Sequence, residues 1–289
     1  LLAGLLTGAG LEVTLTGDES LQKRPMKRII EPLRQMNGDI EARSDDFAPI
    51  KIKKGSGIQG FTYELPIASA QLKSSLLLAG LYGNRPTQIL EPVPSRDHTE
   101  RLLELDTRRE FGKTIIESSN TTRIPAQSYK VPRDVSAAAF WVVAATIVND
   151  GHIVLPGVGM NPTRAAVLDI LIEMGANISI DYERNANKEP VATITVSNSD
   201  LQAIHISADR VPNCIDEIPI LAVAMAFAEG NSRIEGVSEL RYKETDRLAA
   251  ISDMLKKAVI PHQISNDVLE ITGQARYRPD GTSFESFDD

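Results

Sequence analysis

Residues 217–230 read EIPILAVAMAFAEG, and this segment is apolar on nearly every face of the helix that it predicts. Two further segments have the same character, SAQLKSSLLLAGLYG at 69–83 and SAAAFWVVAATIVNDG at 136–151. Helices that are apolar all round are typical of the interior of a domain. Each segment precedes a short β-branched stretch, so the sequence predicts buried helices that alternate with strands.

A Pro-Val or Gly-Val dipeptide follows each apolar helix, and this recurrence indicates an internal repeat. The dipeptides are Pro92-Val93, Gly157-Val158 and Gly236-Val237, and their valines are 65 and 79 residues apart. Intervals of this length are too long for the common solenoid repeats. We therefore expect an α/β (α+β) chain that folds into lobes, each built of several βα-rich units.

A second type of helix follows a proline or a threonine. Arg24-Pro25 and Asn161-Pro162 each stand 13 residues, counted from the proline, before a glycine, which predicts helices that begin at the prolines. Thr245 precedes the helical pattern DRLAAISDMLKKA, and Thr99 precedes ERLLELDTRREF, so we expect related helices there as well.

Composition limits the class of protein. A chain of 289 residues exceeds one ordinary domain, and 42% hydrophobic with 24% charged residues is typical of a globular fold. The net charge of −8 argues against a general nucleic-acid binder. A single cysteine excludes an intrachain disulfide framework and favours a reducing cytosol or organelle stroma over secretion. No apolar run reaches the ~20 residues that span a bilayer.

Several cationic residues stand at segment boundaries. Any one of them can be a solvated charge, but helix N-termini carry partial positive charge and free N–H groups, so cations placed there favour anion binding. The set predicts a small, multiply anionic ligand held between lobes. Its members are Arg24, Lys73, Arg96, Arg164, Lys243 and Arg247.

The segment LRYKETDRL (240–248) is the richest in charge. Lys243 and Arg247 are four residues apart, so on one helix they would share a face. Glu244 lies between them, and cations around a carboxylate favour its ionised form. Asp216 begins a wholly apolar helix, where it is either a helix cap or a general base.

Two other residue types receive a plainer interpretation. The sequence offers His98 no evident catalytic partner, and the histidines show no metal-ligand spacing. Cys214 is expected to be a buried apolar residue and not a nucleophile.

Five blocks of sequence, taken in order, resemble the 5-enolpyruvylshikimate-3-phosphate synthase family. The blocks are GDESLQKRPM (17–26), LPIASAQLKSSLLLAGL (65–81), PSRDHTERLL (94–103), IDEIPILAVAMAFAEG (215–230) and ELRYKETDRL (239–248). The resemblance implies an inside-out αβ barrel of two lobes, each with three copies of a βαβαββ unit, and an active site in the cleft between them.

On that pattern each half of the chain contributes part of one lobe. Residues 1–130 carry the Arg24 and Gln71 side of the cleft. Residues 131–289 carry the opposite side, with Asp216, Lys243, Glu244 and Arg247.

The resemblance also implies a reaction of the shikimate pathway, which leads to the aromatic amino acids. The enolpyruvyl group of phosphoenolpyruvate passes to the 5-hydroxyl of shikimate 3-phosphate and phosphate is released, without metal or organic cofactor. By motif position, the shikimate 3-phosphate ligands are Ser69, Gln71, Ser95, Asp216 and Lys243, and the phosphoenolpyruvate ligands are Arg24, Gln71 and Arg247. Asp216 corresponds to the general base, with Glu244 and Lys243 as its catalytic partners.

The ends of the chain depart from the family pattern. Leu1 corresponds to a position just after the family's GNSGTT loop, and SFDD (286–289) resembles the approach to an Asp-His-Arg motif. The sequence is therefore expected to be truncated at both ends, and the 289 residues alone to bind both substrates poorly and turn over slowly or not at all.

The partners follow from the same likeness. SAQLK (69–73) resembles the class II pattern, and glyphosate is expected as an inhibitor at the phosphoenolpyruvate site, although the loop that most affects tolerance is not in the chain. We expect a monomer, because the two lobes can close on the substrates only if no other subunit occupies the cleft. We also expect a cytoplasmic protein with no nucleic-acid or membrane partner.

Two alternatives remain. One is UDP-N-acetylglucosamine enolpyruvyltransferase, which would be expected to use a loop cysteine, whereas Cys214 lies beside a helix. The other is a non-catalytic repeat scaffold, which shikimate 3-phosphate should not stabilise against heat.

Overall fold

Four copies of one strand-and-helix pattern make up the chain in the computed structural model, which describes residues 1–124, 126, 128–183, 188–243, 245–274 and 283–285. The copies fall into two compact units, Leu1–Ser128 and Tyr129–Asp289. Each unit contains two copies and its own hydrophobic core.

The first unit contains two sheets with their helices. The first copy runs α1 (Leu2–Gly8), β1 (Val13–Leu15), α2 (Glu19–Lys23), α3 (Lys27–Gln35), β2 (Ile40–Arg43) and β3 (Phe47–Ile52). The second copy runs β4 (Thr62–Glu64), α4 (Ala70–Gly80), β5 (Thr87–Glu91), α5 (His98–Leu103), β6 (Asp106–Glu110) and β7 (Lys113–Ser118).

The second unit repeats the arrangement. The third copy runs α6 (Val135–Ile147), β8 (His152–Gly159), α7 (Ala166–Glu173), β9 (Asn177–Glu183) and β10 (Val191–Ser197). The fourth copy runs β11 (His205–Ile206), α8 (Ile218–Ala226), β12 (Gly230–Glu235), α9 (Arg247–Lys257), β13 (His262–Ser265) and β14 (Val268–Gly273).

The second and fourth copies have the same complete topology. Their sheets have the orders β4-β5-β7-β6 and β11-β12-β14-β13, in which the first two strands of the copy are parallel and the remaining pairs antiparallel. The sheets β1-β3-β2 and β8-β10-β9 keep the last three strands of that order. In the third copy, a parallel bridge between Arg133 and Val158 stands at the first-strand position. The βαβαββ unit that the family resemblance implies is thus confirmed in the second and fourth copies.

Three of the core helices are those predicted from the apolar segments. In α4, the six consecutive residues from Leu72 to Leu77 are all buried, and in α8 Leu221, Ala222 and Ala224 are fully buried. Burying a large aliphatic side chain contributes about 1.5–3 kcal/mol. Helix α6 departs from the prediction, because Phe140 and Trp141 are 58% and 62% exposed, so one apolar face of this helix is not buried.

The proline-led helices begin later than predicted. Helix α3 begins at Lys27, whose N–H donates to Asp46 Oδ1 at 2.6 Å, and the short helix α2 precedes Arg24. Arg24 therefore connects two helices and does not begin one. Helix α7 begins at Ala166, four residues after Pro162. The predictions were wrong at these boundaries because a side chain from a distant turn caps α3 and a local turn precedes α7.

The helix expected after Thr99 is shorter than its pattern. Helix α5 ends at Leu103, since Glu104 has a left-handed backbone with φ 52°. The following DTRRE segment is the exposed edge strand β6, paired with β7. Charged side chains on an exposed edge strand hinder pairing with other chains. In this segment their pattern is also typical of the polar face of a helix, which is why the helix prediction was wrong.

Within the described residues, none of the helices has the length and apolar character needed to cross a membrane.

Candidate active site

The predicted ligands lie at two recurring places of each complete copy. One place is the start of the helix after the first strand, where Ser69 and Gln71 lie in the second copy and Asp216 in the fourth. The other is the segment between the second strand and the second helix, which holds Ser95 and, in the fourth copy, Lys243. Because the carboxyl ends of parallel strands meet at one edge, each sheet brings its two places together, and ligands commonly bind at this edge.

Asp216 is the centre of the cluster in the second unit. It lies in the single-turn 3₁₀ helix Ile215–Glu217, directly before α8. Its Oδ1 accepts from Lys243 Nζ at 3.0 Å and from Arg247 Nη1 at 3.2 Å. The side chains are only 27%, 23% and 18% exposed, in that order, so the charges meet in a partly dehydrated place. Two cations this close favour the ionised carboxylate.

The spacing of the two cations predicted that they share one helix face, and this prediction was wrong. Lys243 follows the 3₁₀ helix Ser238–Tyr242, whereas Arg247 is the first residue of α9. The side chain of Asp246 caps α9 by accepting from the N–H of Ala249 at 2.9 Å, and this cap separates the two segments. The cations converge on Asp216 through tertiary packing. Glu244, the predicted proton-transfer partner, lies outside the described residues.

The cluster in the first unit comprises the predicted ligands Ser69, Gln71 and Ser95, which carry hydroxyl and amide groups. Ser69 caps α4, its Oγ accepting from the N–H of Leu72 at 3.4 Å. Ser95 donates its hydroxyl and, at 2.9 Å, its backbone N–H to Glu91 Oε1. Gln71 is exposed in the first turn of α4. The Ser69 hydroxyl and the Gln71 amide can donate hydrogen bonds to phosphate and hydroxyl oxygens, whereas the Ser95 hydroxyl proton is shared with Glu91.

Lys73 is not one of the anion ligands that the boundary cations suggested. Its side chain is fully buried, and Nζ lies 2.9 Å from Glu91 Oε1 and 2.7 Å from Glu100 Oε1. Burial raises the pKa of Glu100, against the lowering effect of Lys73. The ammonium group is committed to an internal ion cluster, in which Glu91 also holds Ser95.

Arg164 is committed in a similar way. Its Nη2 lies 3.3 Å from Asp134 Oδ1 and 3.8 Å from the buried Glu217 Oε1, and it donates to Ser136 Oγ. Arg24 and Arg96 are half-buried residues of the first unit. That Arg24 faces Asp216 stays a prediction.

Sequence reasoning missed the partners of Arg164. Ser136 and Glu217 carry no charge pattern that distinguishes them from helix-start residues. A signal was nevertheless present, since both apolar segments begin with the dipeptide Ser-Ala, at Ser136-Ala137 and at Ser69-Ala70. Aligning the copies would have drawn attention to this serine.

The remaining candidates are plainly structural. Cys214 is fully buried, and its pKa is raised to about 12, chiefly by desolvation, so its thiol is no nucleophile at neutral pH. Across the described ranges, no group of three or more His, Cys, Asp or Glu side chains is arranged to hold a metal ion.

Known proteins resemble this chain over its whole length. The family model for EPSP synthase (3-phosphoshikimate 1-carboxyvinyltransferase) matches residues 1–289. The 3-phosphoshikimate 1-carboxyvinyltransferase of Salinibacter ruber is 47% identical over 277 residues, which are 94% of this chain and 64% of that protein. The corresponding protein of Syntrophomonas wolfei is 47% identical over 267 residues, 89% of this chain and 60% of that protein.

Solved structures agree. An EPSP synthase from Acinetobacter baumannii superposes with a TM-score of 0.83 at 41% identity, over 96% of this chain and 63% of that one. The enolpyruvyl transferase NikO from Streptomyces tendae has a TM-score of 0.67 at 16% identity, over 94% of this chain and 62% of that one, a likeness of fold. The chain thus spans about three fifths of the length of these relatives.

Proposed function

The chain belongs to the EPSP synthase family, and we propose on that premise that its two clusters take part in moving the enolpyruvyl group of phosphoenolpyruvate to the 5-hydroxyl of shikimate 3-phosphate, with release of phosphate. The observation that carries the proposal is the pair of cations on Asp216 Oδ1. A carboxylate held ionised, partly buried and next to an anion-binding ammonium group suits a base that acts on a phosphorylated sugar-like substrate.

Shikimate 3-phosphate would be held by hydroxyl, amide and ammonium donors. Ser69 offers a hydroxyl group, Gln71 an amide, and Lys243 a point charge for the substrate's anionic groups. Ser95 would contribute its hydroxyl group by turning it from Glu91 to the substrate. Asp216 would accept a hydrogen bond from the 5-hydroxyl, the group that attacks. The half-buried state of Ser69 and Ser95 supports this role, since a partly dehydrated donor gains more from an anion than a fully solvated one.

Phosphoenolpyruvate would be held by guanidinium groups. Arg247 is 18% exposed and lies beside Asp216, so it can bind an anion while its charge keeps the base ionised. Arg24 and Gln71 would contribute from the first unit. A guanidinium group can donate two parallel hydrogen bonds to a carboxylate or a phosphate, which fixes the orientation of this small substrate.

The chemistry requires three proton transfers. As the 5-hydroxyl oxygen bonds to the central carbon of phosphoenolpyruvate, Asp216 would take the hydroxyl proton and an acid would protonate the methylene carbon. Phosphate then leaves as a proton is removed from the new methyl group, which restores the double bond. Glu244 is the proposed partner at the enolpyruvyl carbon, and Lys243 would stabilise the negative charge around Asp216.

The setting of the reaction is proposed in the same way. We place it in the cytoplasm, with a monomer as the active form and glyphosate as a competitor at the phosphoenolpyruvate site. The single cysteine among the 289 residues leaves no intrachain disulfide, which is typical of proteins from reducing compartments.

The test is phosphate release by a hybrid enzyme in which these 289 residues replace the matching part of the Acinetobacter baumannii EPSP synthase. We expect release only when both substrates are present. Replacing the base in an Asp216→Asn variant should lower kcat by about a hundredfold or more. The 289 residues alone are assayed beside it, and the sequence predicts little or no turnover from them.

The matched control is Asp253→Asn, which removes another carboxylate of the second unit, one whose partner is Lys257 on the surface of α9. This variant should keep its kcat. A folded hybrid that binds both substrates without releasing phosphate would contradict the proposal, and so would full activity of Asp216→Asn.

A further inference from the structure

Next to Asp216 lies a second carboxylate that the reaction does not use. Glu217 is 4% exposed and is the last residue of the 3₁₀ turn that carries Asp216. Its Oε1 accepts the hydroxyl proton of Ser136, and Arg164 Nη2 lies 3.8 Å away. A buried carboxylate requires such partners, because leaving it without them costs several kcal/mol.

Both partners come from the third copy, whereas Asp216 belongs to the fourth. Ser136 lies in the first turn of α6, and Arg164 lies in the turn between β8 and α7. Arg164 Nη2 donates to Ser136 Oγ and also lies 3.3 Å from Asp134 Oδ1, so one guanidinium group joins the start of α6 to Glu217.

The turn that presents Arg164 is itself held in place. Asn161 Oδ1 accepts from the N–H of Thr163 at 2.9 Å and from its hydroxyl at 2.7 Å. Asn161 Nδ2 donates to Glu189 at 3.0 Å. Asn161 is 2% exposed, so this anchor is buried. Arg164 therefore reaches Glu217 from a fixed point.

The turn with Asp216 is short, and the residues on either side of it, Cys214 and Ile218, are fully buried. A 3₁₀ turn of three residues provides few hydrogen bonds of its own, and one of them is the N–H of Glu217 donating to the Cys214 carbonyl at 2.9 Å. The carboxylate of Asp216 must nevertheless remain 3.0 and 3.2 Å from two cations. A contact that holds the adjacent side chain limits the rotation of the whole turn.

We propose that Ser136 and Arg164 are positioning residues, which hold Asp216 against Lys243 and Arg247 by fixing the neighbouring Glu217. The effect on substrate rests on the function proposed above, whereas the effect on the turn does not. The two parts are therefore measured separately, in the 289-residue chain.

The first measurement is amide hydrogen exchange without ligand. In Arg164→Gln and in Ser136→Ala, exchange at residues 214–218 should be about tenfold faster, the change that ~1.4 kcal/mol of lost local stability produces. Arg164→Lys, which keeps the charge, should recover part of the protection. The control is Arg233→Gln, which removes an arginine paired with Glu235 and Glu270 in the fourth sheet and should leave residues 214–218 unchanged.

The second measurement is the Kd for shikimate 3-phosphate, obtained by NMR titration, in a double-mutant cycle. Arg164→Gln should weaken binding about fivefold when Asp216 is present, and should have no further effect in an Asp216→Ala background. A residue that merely stabilises the fold would weaken both backgrounds equally.

Unchanged exchange at residues 214–218 would overturn the proposal. Equal acceleration throughout strands β12 and β14 would do the same, as would an equal loss of affinity in both backgrounds. If the unaltered chain does not bind shikimate 3-phosphate, the affinity cycle is measured in the hybrid enzyme described above, where absence of binding means that the proposed function fails. The exchange data alone then decide whether Ser136 and Arg164 position the turn.

Discussion

Replacing Lys73 by methionine tests how strongly the buried ion cluster supports the first unit. The ammonium group is 0% exposed and lies 2.9 and 2.7 Å from two carboxylates that are 4% and 8% exposed. Methionine fills a similar volume but leaves Glu91 and Glu100 without their cation. Because breaking a buried ion pair leaves an uncompensated charge, we expect a loss of about 3–5 kcal/mol in the free energy of unfolding.

Hydrogen exchange in urea measures this loss unit by unit, with peptides from α4 and β5 reporting on Leu1–Ser128. The double variant Lys73→Met/Glu100→Gln should lose less, since it buries one charge fewer. Lys113→Met is the control, as its ion pair with Glu64 is 34% and 51% exposed and is worth less than about 1 kcal/mol. A loss from Lys73→Met no larger than that of the control would refute the argument that the cluster is a buried charge network.

Three further expectations follow from the same geometry. Burial raises the pKa of Glu100 above its ordinary value of 4.5. Protonation of Glu100 therefore stabilises the folded state at low pH, and this stability is lost as the pH rises through the raised pKa. The Glu100→Gln variant should show a weaker pH dependence of the free energy of unfolding in this range, measured by urea denaturation. The thiol of Cys214, with a pKa of about 12, should react with a thiol reagent at pH 8 only after urea unfolds the second unit, and rapid reaction of the folded chain would contradict its burial. Ser95→Ala should weaken shikimate 3-phosphate binding about five- to tenfold by NMR titration through the lost hydroxyl, while the exposed Ser56→Ala should not change it.

Hydrophobic pattern was sufficient to predict three core helices that alternate with strands, whereas the βαβαββ unit was implied by the family resemblance. The apolar segments at 69–83, 136–151 and 217–230 became α4, α6 and α8 because burial of their side chains dominates local stability. Element boundaries were harder, since they depend on distant side chains such as Asp46 at the start of α3. The strand β6 was missed for a related reason, as its pairing with β7 outweighs the helical pattern of its charges.

The site was predictable as a set of residues but not as a set of contacts. Motif resemblance identified Asp216, Lys243 and Arg247, and the structure of the second unit brings their side chains together. It could not separate cations that face a ligand from cations that balance internal carboxylates. Lys73 and Arg164 belong to the second group because Glu91, Glu100 and Glu217, remote in sequence, are buried beside them.

An NMR titration of the 289-residue chain tests most directly whether these two clusters bind shikimate 3-phosphate, since amide shifts detect even millimolar affinity. We expect shifts concentrated at Ser69, Ser95, Asp216 and Lys243, with far smaller changes on β9 and β13. Saturating additions that leave those four amides unmoved would contradict it.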